Sequence, residues 1–367
     1  MQKIKKRSNL EAIKAYVPGK PVEEVERELG VKVEAKLASN ENTLGPSPLA
    51  VQAIVDAAAQ VNLYPDGSCH YLRQALSEKI GISADQLMVT NGADEALSMI
   101  ARTYINPGDE TVMPAPSFPQ YEFATRVMDA TPRMVPLKSD FTYDIEAMLA
   151  AVSERTRIFY LCSPNNPTGT TLTRAELELA LERLPKHILV VLDEAYYEYA
   201  SGPDYFNALD YINQGYPVVA LRTFSKIYGL AGLRVGYAIA SEDIISDLHS
   251  VREPFNVNRL AQVAAAAALR DSGHVDKGLK LVEEGKALLY AELGSLGFTC
   301  VPTHTNFVFV NFKQSTDRLF QELLRKGIIV RPGGIYGYPE YARVTIGTET
   351  ENNKFLEALK DILTARV

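Results

Sequence analysis

Four short apolar runs rich in β-branched residues constrain the fold more than anything else in the chain: Leu87-Met88-Val89, Ile158 to Cys162, Ile188 to Leu192 and Val218 to Leu221. Runs of this length without polar alternation suit strands buried on both faces of a parallel sheet, with helical segments between them as crossovers. Each run ends in a polar cluster, in turn TNGADE, SPNNPTG, DEAYYEY and RTFSK. Ligands of open α/β sheets bind just beyond the carboxyl ends of the strands, so four such clusters predict one shared site.

Helical signals fill the gaps. Pro21 to Leu29 carries Val22, Val25 and Leu29 on one face and stops at Gly30; Ser47 and Pro48 open a helix running to about residue 60; Leu72, Leu76 and Ile80 mark another, closed by Gly81. Thr173 and Glu176 form a capping box ahead of Leu177, Leu181 and Leu184. The last third changes character: residues 256–297 read as one long helical stretch, VPTHTNFVFVNF as an alternating strand, and Phe355, Leu356, Leu359, Ile362 and Leu363 as the face of a final helix. The expected fold is α/β, a large domain with a mostly parallel central sheet flanked by helices plus a smaller α+β domain. Residues 1–43 are read as an N-terminal arm and part of the small domain, 44–249 as the large domain, and 250–367 as the rest of the small one.

Composition excludes several functions. Lys plus Arg number 38 against 45 for Asp plus Glu, a net charge of −7 and the wrong sign for a general binder of nucleic acid or anionic membrane. No apolar run is long enough to span a bilayer, and the basic start MQKIKKRSNLEAIKAY lacks the apolar core of a signal peptide. Cys69, Cys162 and Cys300 are odd in number and scattered, which fits a reducing compartment, so a cytoplasmic protein is expected. The five histidines show no metal-ligand spacing, and no metal is expected.

The most informative segment is TFSKIYGLAGLR, residues 223–234. A lysine just past a buried strand, flanked by Thr223 and Ser225 and followed by a Gly-rich turn and Arg234, suits an imine-forming amine beside a bound phosphate. Pyridoxal phosphate needs those groups. Asp193, directly after ILVVL, can hold the proton on such a cofactor's ring nitrogen. Tyr196 and Asn166 can each reach the ring's 3-oxygen, although Tyr196 reads equally as a half-buried aromatic and Asn166 as a turn former before Pro167. Gly92, Ala93 and Asp94 can cradle a phosphate through backbone N–H groups at a helix start, or simply form a turn in which Asp94 caps the helix.

Taken in order, SNENTLGPSP, YPDG, NGADE, PSFPQY, SPNNPTG, DEAYYE, TFSKIYGLAGLRVGY, REPFNVN, TNFV and RVTIGTETEN resemble the pyridoxal-phosphate aminotransferases of fold type I, most closely the branch that acts on histidinol phosphate. The likeness runs from about Tyr16 to the final helix. It implies that Lys226 carries the imine, Asp193 pairs with the pyridinium, and Asn166 and Tyr196 hold the 3-oxygen. Thr223, Ser225, Arg234 and the backbone of Ala93 and Asp94 would hold the phosphate, and Phe118 would stack on the ring. Tyr64 would reach the phosphate of a partner subunit, which implies a homodimer. For small amino and keto substrates it implies Arg343 and Arg331 as anion-binding arginines, Tyr16 beside the substrate phosphate, and Asn42 at the substrate.

The chain departs from the family pattern in three places. Thr43 stands where proline is usual, Phe118 replaces the commoner tyrosine, and the loop PGGIYGYPEY from Pro332 to Tyr341 differs in length from some relatives and is expected beside the two arginines. An aromatic aminotransferase or a threonine-phosphate decarboxylase on the same scaffold shares most of these residues.

Overall fold

The computed structural model describes residues 4–11, 13, 19–202 and 204–365. Among them thirteen strands form three sheets: β1 (Ala35–Lys36), β2 (Leu87–Thr90), β3 (Glu110–Ala115), β4 (Thr131–Pro136), β5 (Thr156–Cys162), β6 (Leu189–Asp193), β7 (Val218–Thr223), β8 (Gly236–Ile239), β9 (Thr299–Val301), β10 (Phe307–Asn311), β11 (Ile328–Ile329), β12 (Arg331–Pro332) and β13 (Tyr341–Thr345). The largest sheet has the order β2-β8-β7-β6-β5-β3-β4. β3 to β7 pair in parallel, while β8 runs antiparallel to both β7 and β2.

The period of two explains why this sheet is buried on both sides. Phe159, Leu161, Val190, Leu192, Val218 and Ala220 face one core cluster. Their immediate neighbours Ile158, Tyr160, Leu189, Val191, Val219 and Leu221 face another. The four apolar runs are thus β2, β5, β6 and β7, and three further strands join them. β4 is an edge strand whose one buried residue is Val135 and which holds two prolines, so it carries no apolar run to be seen. β3 contains Pro114, and β8 has only four residues.

The smaller sheet, β12-β13-β10-β9, is antiparallel. Two expectations need correction here. The stretch 256–297 is two helices, Arg259–Ala268 and Ser272–Ser295, interrupted where the Asp271 side chain accepts from the His274 N–H at 3.1 Å and caps the second. VPTHTNFVFVNF is not one strand: β9 ends at Val301 and β10 starts at Phe307, and between them the Thr303 and Thr305 hydroxyls bond each other at 2.7 Å. The N-terminal segment returns to the C-terminal third, because β1 pairs in parallel with β11. The helix Arg259–Ala268 packs on the helices Pro48–Ala57 and His70–Ile80.

Candidate active site

The polar ends of β5, β6 and β7 open into a cavity of about 250 Å³ that is closed from the other side by residues 38–41 and by the two arginines of β12 and β13. Asp193, the last residue of β6, is 3 % exposed. Its Oδ2 accepts from the Tyr121 hydroxyl at 2.6 Å and its Oδ1 from the Ala195 N–H at 3.0 Å. Burial pushes its carboxyl up to about 6, against the pull of the Tyr121 bond, and it makes no ion pair with any described residue. A carboxylate buried in this way favours a cationic ligand.

Lys226 follows β7 after a tight turn in which the Ser225 N–H donates to Thr223 Oγ1 at 3.1 Å. Its Nζ is 3.4 Å from the Ser39 carbonyl and 5.5 Å from the centre of the Tyr196 ring. Burial, and next the charge of Arg343, bring the amine down to about 8, which leaves an appreciable share unprotonated and nucleophilic near neutral pH.

At the far end, Arg234 Nη1 lies 3.5 Å from Ser225 Oγ, and its Nη2 lies 3.4 Å from Asp94 Oδ2. Ala93 and Asp94 stand in the first turn of the helix Gly92–Tyr104, where backbone N–H groups have no intrahelical acceptor and the helix dipole is positive. A Cβ on Gly92 would sit 2.4 Å from Arg234 Nη2, and its φ of +75° is one that side chains rarely adopt, so a glycine here lets the guanidinium lie against the backbone. The ensemble is an anion cradle. The Asp94 carboxylate, which sequence reading left out, holds the arginine over it.

Arg331 and Arg343 are direct cross-strand partners on β12 and β13, 8 % and 6 % exposed. Arg343 Nη1 donates to Asn166 Oδ1 at 2.5 Å and to the Tyr336 hydroxyl at 3.1 Å, and its Nη2 donates to the Ala38 carbonyl at 2.6 Å. Its Nε is buried with no partner. Tyr336 brings the loop Pro332 to Tyr341 against this arginine.

Phe118, Asn166, Tyr196, Thr223 and Ser225 also line the cavity. Asn42 does not: its Nδ2 donates to the Ile227 carbonyl at 2.7 Å and its Oδ1 accepts from the Leu44 N–H at 3.0 Å, so it braces the turn after the lysine. Tyr64 lies outside the cavity, 79 % exposed and stacked on Phe255 with ring centres 4.7 Å apart. Tyr16 lies outside the described residues. Sequence reading missed Asn40, which donates to the Tyr196 hydroxyl at 2.8 Å, and Tyr121. Each has a signal in hindsight: SNEN holds a second asparagine, and PSFPQY a second aromatic three residues after the first.

A strand-end lysine, a buried carboxylate and an anion cradle around one cavity define a class of enzyme, and the chain belongs to the class I and II aminotransferases, whose family model matches residues 33–359. Within that family it is 54 % identical over 353 residues to histidinol-phosphate aminotransferase of Moorella thermoacetica, covering 96 % of this chain and 91 % of that protein. It is 48 % identical to histidinol-phosphate aminotransferase 2 of Carboxydothermus hydrogenoformans, covering 97 % and 99 %. The crystal structure of histidinol-phosphate aminotransferase from Sinorhizobium meliloti in complex with pyridoxal-5'-phosphate superposes with a TM-score of 0.90 at 27 % identity, covering 98 % of both chains.

Proposed function

We propose that this aminotransferase moves the amino group between histidinol phosphate and 2-oxoglutarate, giving imidazole-acetol phosphate and glutamate or the reverse, as a step of histidine biosynthesis. The observation that carries the reading is the pair Arg331 and Arg343, cross-strand partners that line the same cavity as Lys226. Two guanidiniums can take a phosphate in one half-reaction and a second carboxylate in the other. Relatives of that name match the chain nearly end to end.

Pyridoxal phosphate fits the cavity on three features: among the described residues Asp193 is a buried carboxylate without a cation and Arg343 Nε an orphaned donor, and Gly92, at φ +75°, lets Arg234 lie against the start of the helix as an anion cradle. When bound, it supplies an aldehyde that takes up the amino group and a ring that accepts the electron pair left on the α-carbon. The cradle of Ala93, Asp94, Thr223, Ser225 and Arg234 would hold its phosphate and Phe118 one ring face. Asp193 would hold the ring nitrogen's proton, and Asn166 and Tyr196 the 3-oxygen. Lys226, with its amine lowered to about 8, is the base that takes the α-proton and returns it. Arg331 and Arg343 set the substrate's anionic end, which places the α-carbon toward the amine. Alternation of two substrates at one site makes the kinetics ping-pong.

The pairing of β1 with β11 supports joining the segment around residue 35 to the end of the chain in one smaller unit, while the packing of Arg259–Ala268 on Pro48–Ala57 and His70–Ile80 speaks for counting that helix with the large one. Exposed Val61, Leu63, Tyr64, Tyr71 and Phe255 support a second copy covering this face, with Tyr64 reaching into the partner's site. Three free cysteines support a cytoplasmic place. No described helix is long and apolar enough to cross a membrane.

The test is the visible spectrum of the cofactor-loaded protein mixed with histidinol phosphate, phenylalanine or O-phosphothreonine. Bleaching with histidinol phosphate about a hundredfold faster than with phenylalanine supports the reading. The reverse order moves the enzyme to aromatic substrates, and release of carbon dioxide from O-phosphothreonine moves it to a decarboxylase.

A further inference from the structure

Asn40 stands against Tyr196 in a way the transamination steps above leave unused. Its Nδ2 donates to the phenol oxygen at 2.8 Å. Thr345 decides which end of the amide faces the phenol. The Thr345 hydroxyl accepts the Asn40 backbone N–H at 3.0 Å and stands 3.1 Å from Asn40 Oδ1. The hydroxyl has one hydrogen and two lone pairs: one lone pair takes the backbone N–H, and the hydrogen is donated to Oδ1. The nitrogen end is left for Tyr196. Asn40 is 1 % exposed, which keeps its side-chain amide from turning to water, and its backbone carbonyl accepts from Asn306 Nδ2 at 3.0 Å, which fixes the main chain there.

The consequence falls on the phenol. Its oxygen already accepts, so its hydrogen points elsewhere, and among the described residues no acceptor takes it. The direction left is the cavity. A donor that is itself accepting a hydrogen bond is also a stronger donor.

We propose that Asn40 is a positioning residue: held by Thr345, it turns the Tyr196 hydroxyl into a hydrogen-bond donor aimed at an anionic oxygen of the bound ligand. The proposal rests on the reading of the cavity as a pyridoxal-phosphate site, where that oxygen is the ring's 3-oxygen. The charge on this oxygen is shared with the neighbouring lysine-bound nitrogen while that nitrogen keeps its proton, and is left alone when the proton is lost. A phenol donor therefore favours the deprotonated form and lowers the pH at which it appears.

The experiment is a pH titration of the visible absorbance of the cofactor-loaded enzyme without substrate, for the wild type, Asn40→Gly, Tyr196→Phe and the double variant. Glycine is chosen because Asn40 has φ +56°, a backbone glycine adopts freely. Asn40→Gly is expected to raise the midpoint by about half to one pH unit. Tyr196→Phe should raise it at least as far, and the double variant no further than Tyr196→Phe alone, since a residue acting through the phenol has nothing to act on once the hydroxyl is gone. Thr345→Val, which frees the amide to turn, should shift it the same way by less. An unchanged midpoint in Asn40→Gly, or full additivity in the double variant, overturns the proposal and leaves the site reading standing. A wild type without a pH-dependent visible band overturns the site reading and the proposal with it.

Discussion

Two walls meet at the cavity, and they are assembled from opposite kinds of contact. Asp193, Thr223, Ser225 and Lys226 stand where β6 and β7 end, positioned by residues next to them in the chain and by a sheet buried on both faces. Ala38, Ser39 and Asn40 reach the same cavity from the N-terminal segment, and their partners Arg343, Lys226, Tyr196 and Thr345 are 156 to 305 positions away. The first wall exists as soon as the sheet does. The second exists only once both ends of the chain have folded back over it, so chemistry belongs to the first and its alignment to the second.

The largest effect should come from the strand-end wall. Lys226→Ala removes the amine on which both half-reactions depend, and turnover should fall more than about 10⁴-fold while the circular dichroism spectrum is unchanged. A variant retaining a tenth of the activity would break the division drawn above.

Asp193→Asn is next, with about a 10³-fold loss of turnover because a neutral amide no longer holds a proton on the ring nitrogen. The same change should stabilise the ligand-free protein. Burial raises the Asp193 pKa in the folded protein to about 6, well above that of an ordinary carboxylate, so its contribution to stability is complete below about pH 4 and is lost as pH rises through 6. Above pH 6 the wild type carries a buried charge that the amide does not, worth about 3 kcal/mol. Thermal melts of the ligand-free proteins at pH 8 should place the variant higher, and at pH 4 the gap should close.

Arg343→Gln should cut kcat/KM for both substrates by about a hundredfold, because the substrate's anionic group loses one guanidinium and the Ala38 carbonyl loses its donor. It also sharpens the link between the walls. Burial does most to bring the Lys226 amine down to about 8, and the Arg343 charge comes second. Removing that charge lets the amine keep its proton to higher pH. Capture of pyridoxal phosphate by the ligand-free protein, followed as absorbance against time, should therefore rise with pH around a midpoint near 8 in the wild type and a higher one in the variant.

The difference between the walls also decides what could be read from the residues alone. Lys226, Asp193, Thr223, Ser225, Arg234 and Asn166 were legible because strand ends in an α/β sheet are where polar residues have reason to follow apolar runs. β4 escaped because an edge strand needs no apolar run, and the break between the helices Arg259–Ala268 and Ser272–Ser295 escaped because helical spacing continues across it. Asn40 and Tyr121 escaped for another reason. Each acts by touching a residue 156 or 72 positions away, and no local period or cap encodes such a contact. The resemblance to a family named the right segment, SNEN, but motif spacing could not choose between its two asparagines.

That choice yields the smallest prediction and the one that bears most directly on how the walls join. Asn42 was expected at the substrate, yet both ends of its amide are spent on backbone, at Ile227 and Leu44. The turn it braces follows Lys226 closely and crosses the 42–46 loop where a Cβ on Gly229 would lie 2.4 Å from the Gly45 carbonyl, so neither strand of this contact has slack. Asn42→Ala should then cost about 1 to 2 kcal/mol of stability through two lost hydrogen bonds, to the Ile227 carbonyl and from the Leu44 N–H. KM for histidinol phosphate should move less than about threefold, since no contact with substrate is lost. Denaturant unfolding and steady-state kinetics on the same preparation separate the two quantities. A tenfold rise in KM at unchanged stability would return Asn42 to the substrate and make the N-terminal segment a binding wall at both of its asparagines.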